Sequence, residues 1–442
     1  MSLPSRRHFL GASVAGLASY TLFGQDAKKD SAALKVSKEE AAFQPSTLFL
    51  TWHRDPTTTM VVQWIGVRGE TSDTNVYYAP VTPSNKFGIL SSLVGWKSQP
   101  AATRPYPQSD FKVFRAELTG LTPNTDYSFK IGKQSPTYRF RTMPAKANDT
   151  IHFISGGDCG VNTAAVANNV QAARQDPMFA IVGGDLGYDN GKSVETSLAF
   201  IRNYSKTMIG RDGRLIPMIA CLGNHEVDGG YSKAREKATF FFPLFEGLYP
   251  ETSYATLDFG DYLSLVLLDS GHTTAIDGEQ GCWLNRTLQA REDHPNVFVV
   301  NHVPAYPSFR NPKPAVVKEG EEKKPGTGEL QRTHWAPLFD KYRVPVVLEH
   351  HDHTFKRTKP LLDGLPHDNG VLYLGDGSWG RLRNPQKADP LHVMAKTSEE
   401  YHLSLHRIQG EERYHLALDM TGRIMDVGRS GQRKKGIMAT AG

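Results

Sequence analysis

Phe179-Ala-Ile-Val-Gly-Gly-Asp-Leu-Gly-Tyr188 is the stretch on which the fold turns. Its first four residues read as a short buried strand, and the two glycines that follow end the strand in a tight turn. The turn delivers a carboxylate, Asp185, and three residues later a phenol, Tyr188. The same grammar recurs on both sides. Residues 151–154 lead to Gly157-Asp158-Cys159-Gly160, and 218–222 to Gly223-Asn224-His225-Glu226. Residues 263–268 are followed by Asp269, 297–300 by Asn301-His302, and 344–348 by His351-Asp352-His353. Short apolar strands separated by helical stretches predict a layered α/β domain, in which sites form where loops leave the carboxyl ends of strands. Further strands are expected at 370–375 and 401–406.

These strand ends carry seven candidate metal ligands: Asp158, Asp185, Tyr188, Asn224, His302, His351 and His353. Singly, each motif is weak, because Gly-Gly-Asp is often only a turn and a lone His-x-His is more often structural than metallic. Together, in this order and each at a strand end, they suffice for two adjacent metal sites.

Upstream the texture differs. From Pro45 the chain alternates, with Met60, Val62 and Trp64 on one face, then Tyr127, Phe129 and Ile131, then Tyr138 and Phe140. A turn-rich corner, Leu118-Thr-Gly-Leu-Thr-Pro-Asn-Thr-Asp-Tyr127, resembles the fibronectin-III type of sandwich, in which a corner tyrosine caps a crossover. Residues 80–110 are loop-rich, 142–150 read as a linker, and 308–330 read as a mobile loop rich in Lys, Glu, Pro and Gly. The expected organisation is a signal segment at 1–27, a linker at 28–44, a β-sandwich at 45–144, the α/β domain at 150–428 and a basic tail at 429–442.

Ser5-Arg6-Arg7-His8-Phe9-Leu10, followed by small and apolar residues, resembles a twin-arginine export signal. The formal charge of +5 would fall to about +3 without Arg6 and Arg7, too weak to suggest nucleic acid. Past the N-terminus no run of about 18 apolar residues predicts a membrane span. Three cysteines, Cys159, Cys221 and Cys282, give no disulfide framework or zinc-ligand spacing, and all three are expected to be buried.

The five ligand motifs resemble those of the calcineurin-like metallophosphoesterases, and specifically the purple acid phosphatase branch, from about residue 45 to 383. Most of that superfamily carries Asp-x-His in the first motif; here Gly160 takes the histidine's place, and Tyr188 supplies a phenol instead. The resemblance implies an all-β, fibronectin-III-like sandwich followed by a four-layer α/β metallophosphoesterase sandwich, two mixed β-sheets flanked by helices. It also implies a dinuclear centre. Asp158, Asp185, Tyr188 and His353 would hold Fe(III), a hard cation suited to a phenolate; Asp185, Asn224, His302 and His351 would hold a divalent Zn, Mn or Fe. By resemblance His225 contacts the substrate phosphate and assists the leaving alkoxide; the alternative is support of Asp185 or a bridging water.

Two departures from the family stand out. His350 replaces a glycine that permits close backbone approach or positive φ, which predicts a shifted loop. Val303 to Arg332 contains no histidine, whereas plant-type enzymes place substrate-contacting histidines there; Arg310, Lys313 and His334 are the candidate replacements, each also readable as a solvated side chain. Glu226 reads as a solvated or supporting carboxylate, His272 as structural and Trp283 as core. Trp379 and Arg381 fall near the expected pocket.

The implied function is an exported phosphoesterase, periplasmic or extracellular, that hydrolyses small phosphomonoesters by in-line attack of a metal-activated hydroxide. Phosphodiester or pyrophosphate hydrolysis on the same centre is the alternative, and a non-catalytic surface-binding protein the rival of a different class.

Overall fold

Alternating residues of the N-terminal third build two four-stranded antiparallel sheets in the computed structural model. It describes residues 45–66, 71–82, 95–147, 151–314, 324–409 and 412–431. The expected signal segment, the 28–44 linker, the middle of the 308–330 stretch and nearly all of the basic tail lie outside the described residues. One sheet runs, in spatial order, Phe49–Thr51, Met60–Gly66, Lys112–Leu118, Ala102–Pro105; the other runs Lys97–Gln99, Val76–Pro80, Asp126–Ile131, Tyr138–Arg141. Tyr127 closes the expected corner: its hydroxyl accepts the Thr122 N–H at 2.9 Å while its ring stacks on Phe140.

Strand Met60–Gly66 departs from simple alternation, being buried at every position. Its second face lies against the following domain. Gln63 Nε2 donates to Leu244 O at 2.9 Å, and Arg104 and Arg115 each pair with Glu246 at 2.7 Å. A strand expected to be half-exposed thus becomes a buried one, and the polar residues on that face are matched across the junction.

From Ile151 the strands form two mixed sheets. One is ordered Met218–Ala220, Ala180–Val182, Ile151–Gly156, His402–Gln409, Glu412–Asp419, Ile424–Ser430. The other is ordered Ala255–Phe259, Leu263–Leu267, Val297–Val300, Val346–Glu349, Leu372–Asp376, Phe355–Thr358, Met394–Ser398. Parallel pairing holds among the strands that precede the candidate ligands. Continuous apolar runs follow from burial on both faces. In the second sheet Phe298, Val300, Val346 and Leu348 join the core between the sheets, where Phe298 meets Phe153 edge-on at 5.2 Å. Val297, Val299 and Val347 instead join Leu284, Leu288 and Phe339 of helices Glu279–Gln289 and Ala336–Lys341. Helices Thr163–Arg174 and Val194–Thr207 pack with the first sheet through Ala165, Ala172, Leu198 and Ile201.

Some details differ from expectation. Cys282 is exposed, because it falls on the outer face of its helix; Cys159 and Cys221 are buried. Arg429 and Ser430, expected in the tail, end the last strand, where register with Tyr414 and Arg413 holds them. Among the described residues of the 80–110 region are two strands, Lys97–Gln99 and Ala102–Pro105. Among the described residues no helix is long and apolar enough to cross a membrane.

Candidate metal centre

All seven candidate ligands follow strand ends at one edge of the two sheets. Reaching that edge bends the backbone sharply. Asp158, Asp185, His351 and His353 all adopt left-handed conformations, with φ of 57°, 56°, 72° and 59°. For residues other than glycine each such turn costs on the order of 1 kcal/mol, and strain of this kind collects at functional sites.

One oxygen or nitrogen from each of Asp158, Asp185, His302 and His351 lies within 4.8 Å of all the others. Two smaller groupings extend this cluster. On one side the Tyr188 hydroxyl lies 3.1 Å from both Asp158 Oδ1 and His353 Nε2, which are themselves 3.0 Å apart. On the other side His302 Nε2 lies 3.1 Å from His351 Nδ1, 3.2 Å from Asn224 Oδ1 and 3.3 Å from Asp185 Oδ2. Ligands that share an ion at about 2.1 Å in octahedral geometry stand about 3 Å apart, so both groupings have the spacing of one coordination sphere.

The donor chemistry gives a second test. His302 Nδ1 lies 2.8 Å from Gly183 O, a carbonyl that can only accept, so Nδ1 carries the proton. In the neutral ring Nε2 therefore presents a lone pair, and it points at other acceptors. Asp185 Oδ2 is buried without a hydrogen bond. Converging lone pairs in a buried space repel one another unless a cation lies among them. The residues fit a metal group.

Without an ion the same charges fall on the side chains. Burial lowers the His302 pKa, but Asp185 and Asp158 outweigh it and hold the imidazole up at about 9. Burial pushes Asp158 upward, yet His353, His302 and His351 pull it well below the ordinary carboxylate range. Burial together with the charges of His302 and Arg310 drives His351 well below its usual value.

The surrounding contacts fix the ligands. His351 N donates to Asp158 Oδ2 at 2.7 Å, and His225 N to Asp185 Oδ1 at 2.8 Å. Glu226 is buried, not solvated. It accepts N–H groups from Asp185 and Leu186 at 2.8 Å and from Gly223 at 2.9 Å, clamping two ligand loops together. Burial and the nearby Asp185 charge push its pKa up to about 8, against the pull of those N–H donors.

His350 packs inside the fold. Its ring is buried over Gly157 and Gly183, and a Cβ on Gly183 would fall 1.9 Å from it. Those two glycines make room for the imidazole, and positive φ falls on His351 and His353 rather than on residue 350.

The His225 side chain is half-buried, with its ring 4.3 Å from that of Tyr188 and its Nε2 3.9 Å from Asp185 Oδ2. It thus borders both groupings, and burial lowers its pKa. Arg310 also reaches the site, but its guanidinium bonds His351 O and Asp352 Oδ1. The near flank of the expected mobile loop is tied to the same turn, since Ser308 and Phe309 donate N–H groups to Asp352. His334 ends helix Glu329–His334, and among the described contacts none joins it to the cluster. Trp379 is core, its Nε1 bonded to Asn169. Trp283 packs partly buried against Tyr254, and His272 is wholly buried, with its ring 5.6 Å from that of His302.

Sequence reasoning missed Tyr231. Its hydroxyl lies 3.1 Å from His351 Nε2 and donates to Asn224 Oδ1 at 3.4 Å, which orients two candidate ligands. It sits in a Gly-Gly-Tyr-Ser loop with no periodicity to mark it.

Sandwich, mixed sheets and a strand-end cluster together define a β-sandwich joined to a calcineurin-like phosphoesterase fold. Residues 151–355 match the calcineurin-like phosphoesterase family, and residues 45–142 match the purple acid phosphatase N-terminal domain. The chain belongs to the purple acid phosphatase branch of that superfamily. It is 26% identical over 310 residues to purple acid phosphatase 21 of Arabidopsis thaliana, covering 65% of this chain and 64% of that one. It is 24% identical over 340 residues to human acid phosphatase type 7, covering 71% and 76%. The chain thus spans slightly less than two thirds of the Arabidopsis relative. Purple acid phosphatase PPD1 from yellow lupin (Lupinus luteus) seeds shares the fold with a TM-score of 0.67 at 15% identity, over 87% of this chain and 73% of that one. The family implies a dinuclear metal centre, and the Asp and His cluster is compatible with one.

Proposed function

We propose that this chain is a two-metal phosphoesterase that hydrolyses phosphomonoesters. Asp158, Asp185, Tyr188 and His353 would hold one ion, and Asp185, Asn224, His302 and His351 the other. The observation that carries this reading is the buried convergence of His302 Nε2 on Asn224 Oδ1 at 3.2 Å, Asp185 Oδ2 at 3.3 Å and His351 Nδ1 at 3.1 Å, the spacing of one coordination sphere. Bound between these side chains, two cations would supply Lewis acidity that activates water and neutralises a phosphoryl dianion during in-line displacement. The chain's own residues do the rest. Tyr188, a hard anionic donor once deprotonated, favours a trivalent ion, Fe(III), on its side; the three neutral donors opposite favour Zn, Mn or Fe in the divalent state. His225 borders both groupings and is placed to donate a proton to the leaving alkoxide. Glu226 and Tyr231 hold the ligand loops in register. Export by the twin-arginine route is part of this proposal, supported by Arg6-Arg7-His8-Phe9-Leu10.

The test is metal analysis with the visible spectrum of the purified protein, beside turnover of 4-nitrophenyl phosphate and bis(4-nitrophenyl) phosphate. Bound iron, a visible tyrosinate band that Tyr188→Phe abolishes, and faster monoester turnover are expected. Absence of both iron and hydrolysis would refute the reading; faster diester turnover would overturn the monoester assignment.

A further inference from the structure

The chain beyond strand Leu372–Asp376 crosses the Asp158 loop and is tied to it by its backbone. Trp379 N donates to Gly157 O at 3.2 Å, Gly380 N to Asp158 O at 3.1 Å, and Arg383 N to His353 O at 2.7 Å. Asn162 and Asn168 side chains hold the carbonyls of Gly380 and Trp379, each at 2.6 Å. At Gly380 a Cβ would fall 1.8 Å from Cys159 O, so only glycine lets the segment lie this close.

This lacing fixes two arginines on the Tyr188 and His353 side of the cluster. The Arg381 guanidinium sits 4.0 Å from the Tyr188 ring centroid, and its buried Nε has no hydrogen-bond partner. Gly160 leaves the space, since a Cβ there would meet Tyr188 Cδ2 at 3.3 Å and Arg381 Nε at 3.4 Å. Arg383 rests over the Phe309 ring at 4.9 Å. Burial and the Arg310 charge lower its pKa, while Tyr188, Asp158 and Asp352 raise it, so it feels the charges of the ligand cluster. Arg310 is neutralised by Asp352; among the described residues neither Arg381 nor Arg383 has such a carboxylate. Two uncompensated cations beside a pocket built for cations repel its contents, and an anion lying between removes that repulsion. Guanidinium groups fixed in place are suited to phosphoryl oxygens.

We propose that Arg381 and Arg383 form a second anion subsite beside the dinuclear centre, which selects substrates carrying another phosphoryl group next to the scissile one. This rests on the phosphoesterase reading above. It makes diphosphate ends better substrates than simple aryl esters.

The test uses the metal-loaded full chain, pyrophosphate and 4-nitrophenyl phosphate, and the variants Arg381→Gln, Arg383→Gln and Arg381→Lys. The ratio of kcat/KM for pyrophosphate over that for the aryl ester is the readout, because an inactive fraction cancels in it. The ratio should fall about tenfold or more in each Gln variant and recover in part in Arg381→Lys. An unchanged ratio overturns the subsite. Should the wild type hydrolyse neither compound, the phosphoesterase reading fails by itself, and calorimetry with pyrophosphate then decides the subsite. A tenfold weaker binding in the Gln variants sustains it, and equal binding overturns it.

Discussion

Replacing Glu226 tests whether one buried carboxylate organises the centre. Its oxygens accept three backbone N–H groups at 2.8–2.9 Å, from Asp185, Leu186 and Gly223, all of them buried. In Glu226→Ala those donors lose their partner where water has little access. An unmatched buried donor costs about 1–3 kcal/mol, and relief of the carboxylate's own desolvation offsets part of the total, leaving about 3–5 kcal/mol. Glu226→Gln keeps the shape and one acceptor oxygen. Turned to face Asp185 N and Gly223 N, the amide leaves only Leu186 N opposed by an NH2 group, a loss of about 1–3 kcal/mol. Urea unfolding of chelator-stripped protein is the assay, because the clamp joins protein to protein and does not depend on an ion. The midpoints should rank wild type, then Gln, then Ala. Metal content after reloading should fall in the same order, since Asp185 N is one end of the clamp. An Ala variant within about 0.5 kcal/mol of wild type, or a Gln variant as unstable as Ala, would refute the reasoning.

His225→Ala should cut turnover by about 100-fold or more with metal content unchanged; loss of metal would show that the side chain holds Asp185 and not the substrate. Gly183→Ala should abolish soluble expression because its Cβ would overlap the His350 ring, and His350→Gly added to it should restore folding; failure of that rescue, measured by circular dichroism, would break the proposed pairing. His53 is half-buried at the domain junction, where burial and Arg115 lower its pKa to about 4. Its unfolded value is higher, so the unfolded chain binds the proton first; the contribution is whole above about pH 6.5 and is lost as pH falls through 4. His53→Gln should therefore flatten the acid limb of a stability-versus-pH curve by up to about 3 kcal/mol, and an unchanged limb would contradict the assignment.

Sequence alone carried most of the catalytic fold because its strands are buried on both faces. Val297–Val300 and Val346–Glu349 read as unbroken apolar runs, each ending in a residue with distinctive chemistry. Glu226 lies three residues after Gly223, a spacing that suits a side chain returning to an earlier backbone N–H, so its clamp was partly legible. Other features depend on contacts between distant segments. Tyr231 meets His351 across 120 positions, and Arg381 reaches Tyr188 from the far end of the domain. The accommodation of His350 needed Gly157 and Gly183 to be seen above it, although each glycine taken alone reads as turn chemistry. Burial of Met60–Gly66 on both faces was hidden for the same reason, since its second partner begins some 180 residues later.

That doubly covered strand bears on how the protein unfolds. With Met60–Gly66 sealed by the catalytic half, and Arg104 and Arg115 both locked onto Glu246, neither half has a solvent-ready surface at the junction. Separating them would bare the second face of Met60–Gly66 and part the largely buried Arg115 guanidinium from Glu246. The two halves should therefore melt as one cooperative unit, and proteolysis should find no metastable fragment that begins at the domain boundary.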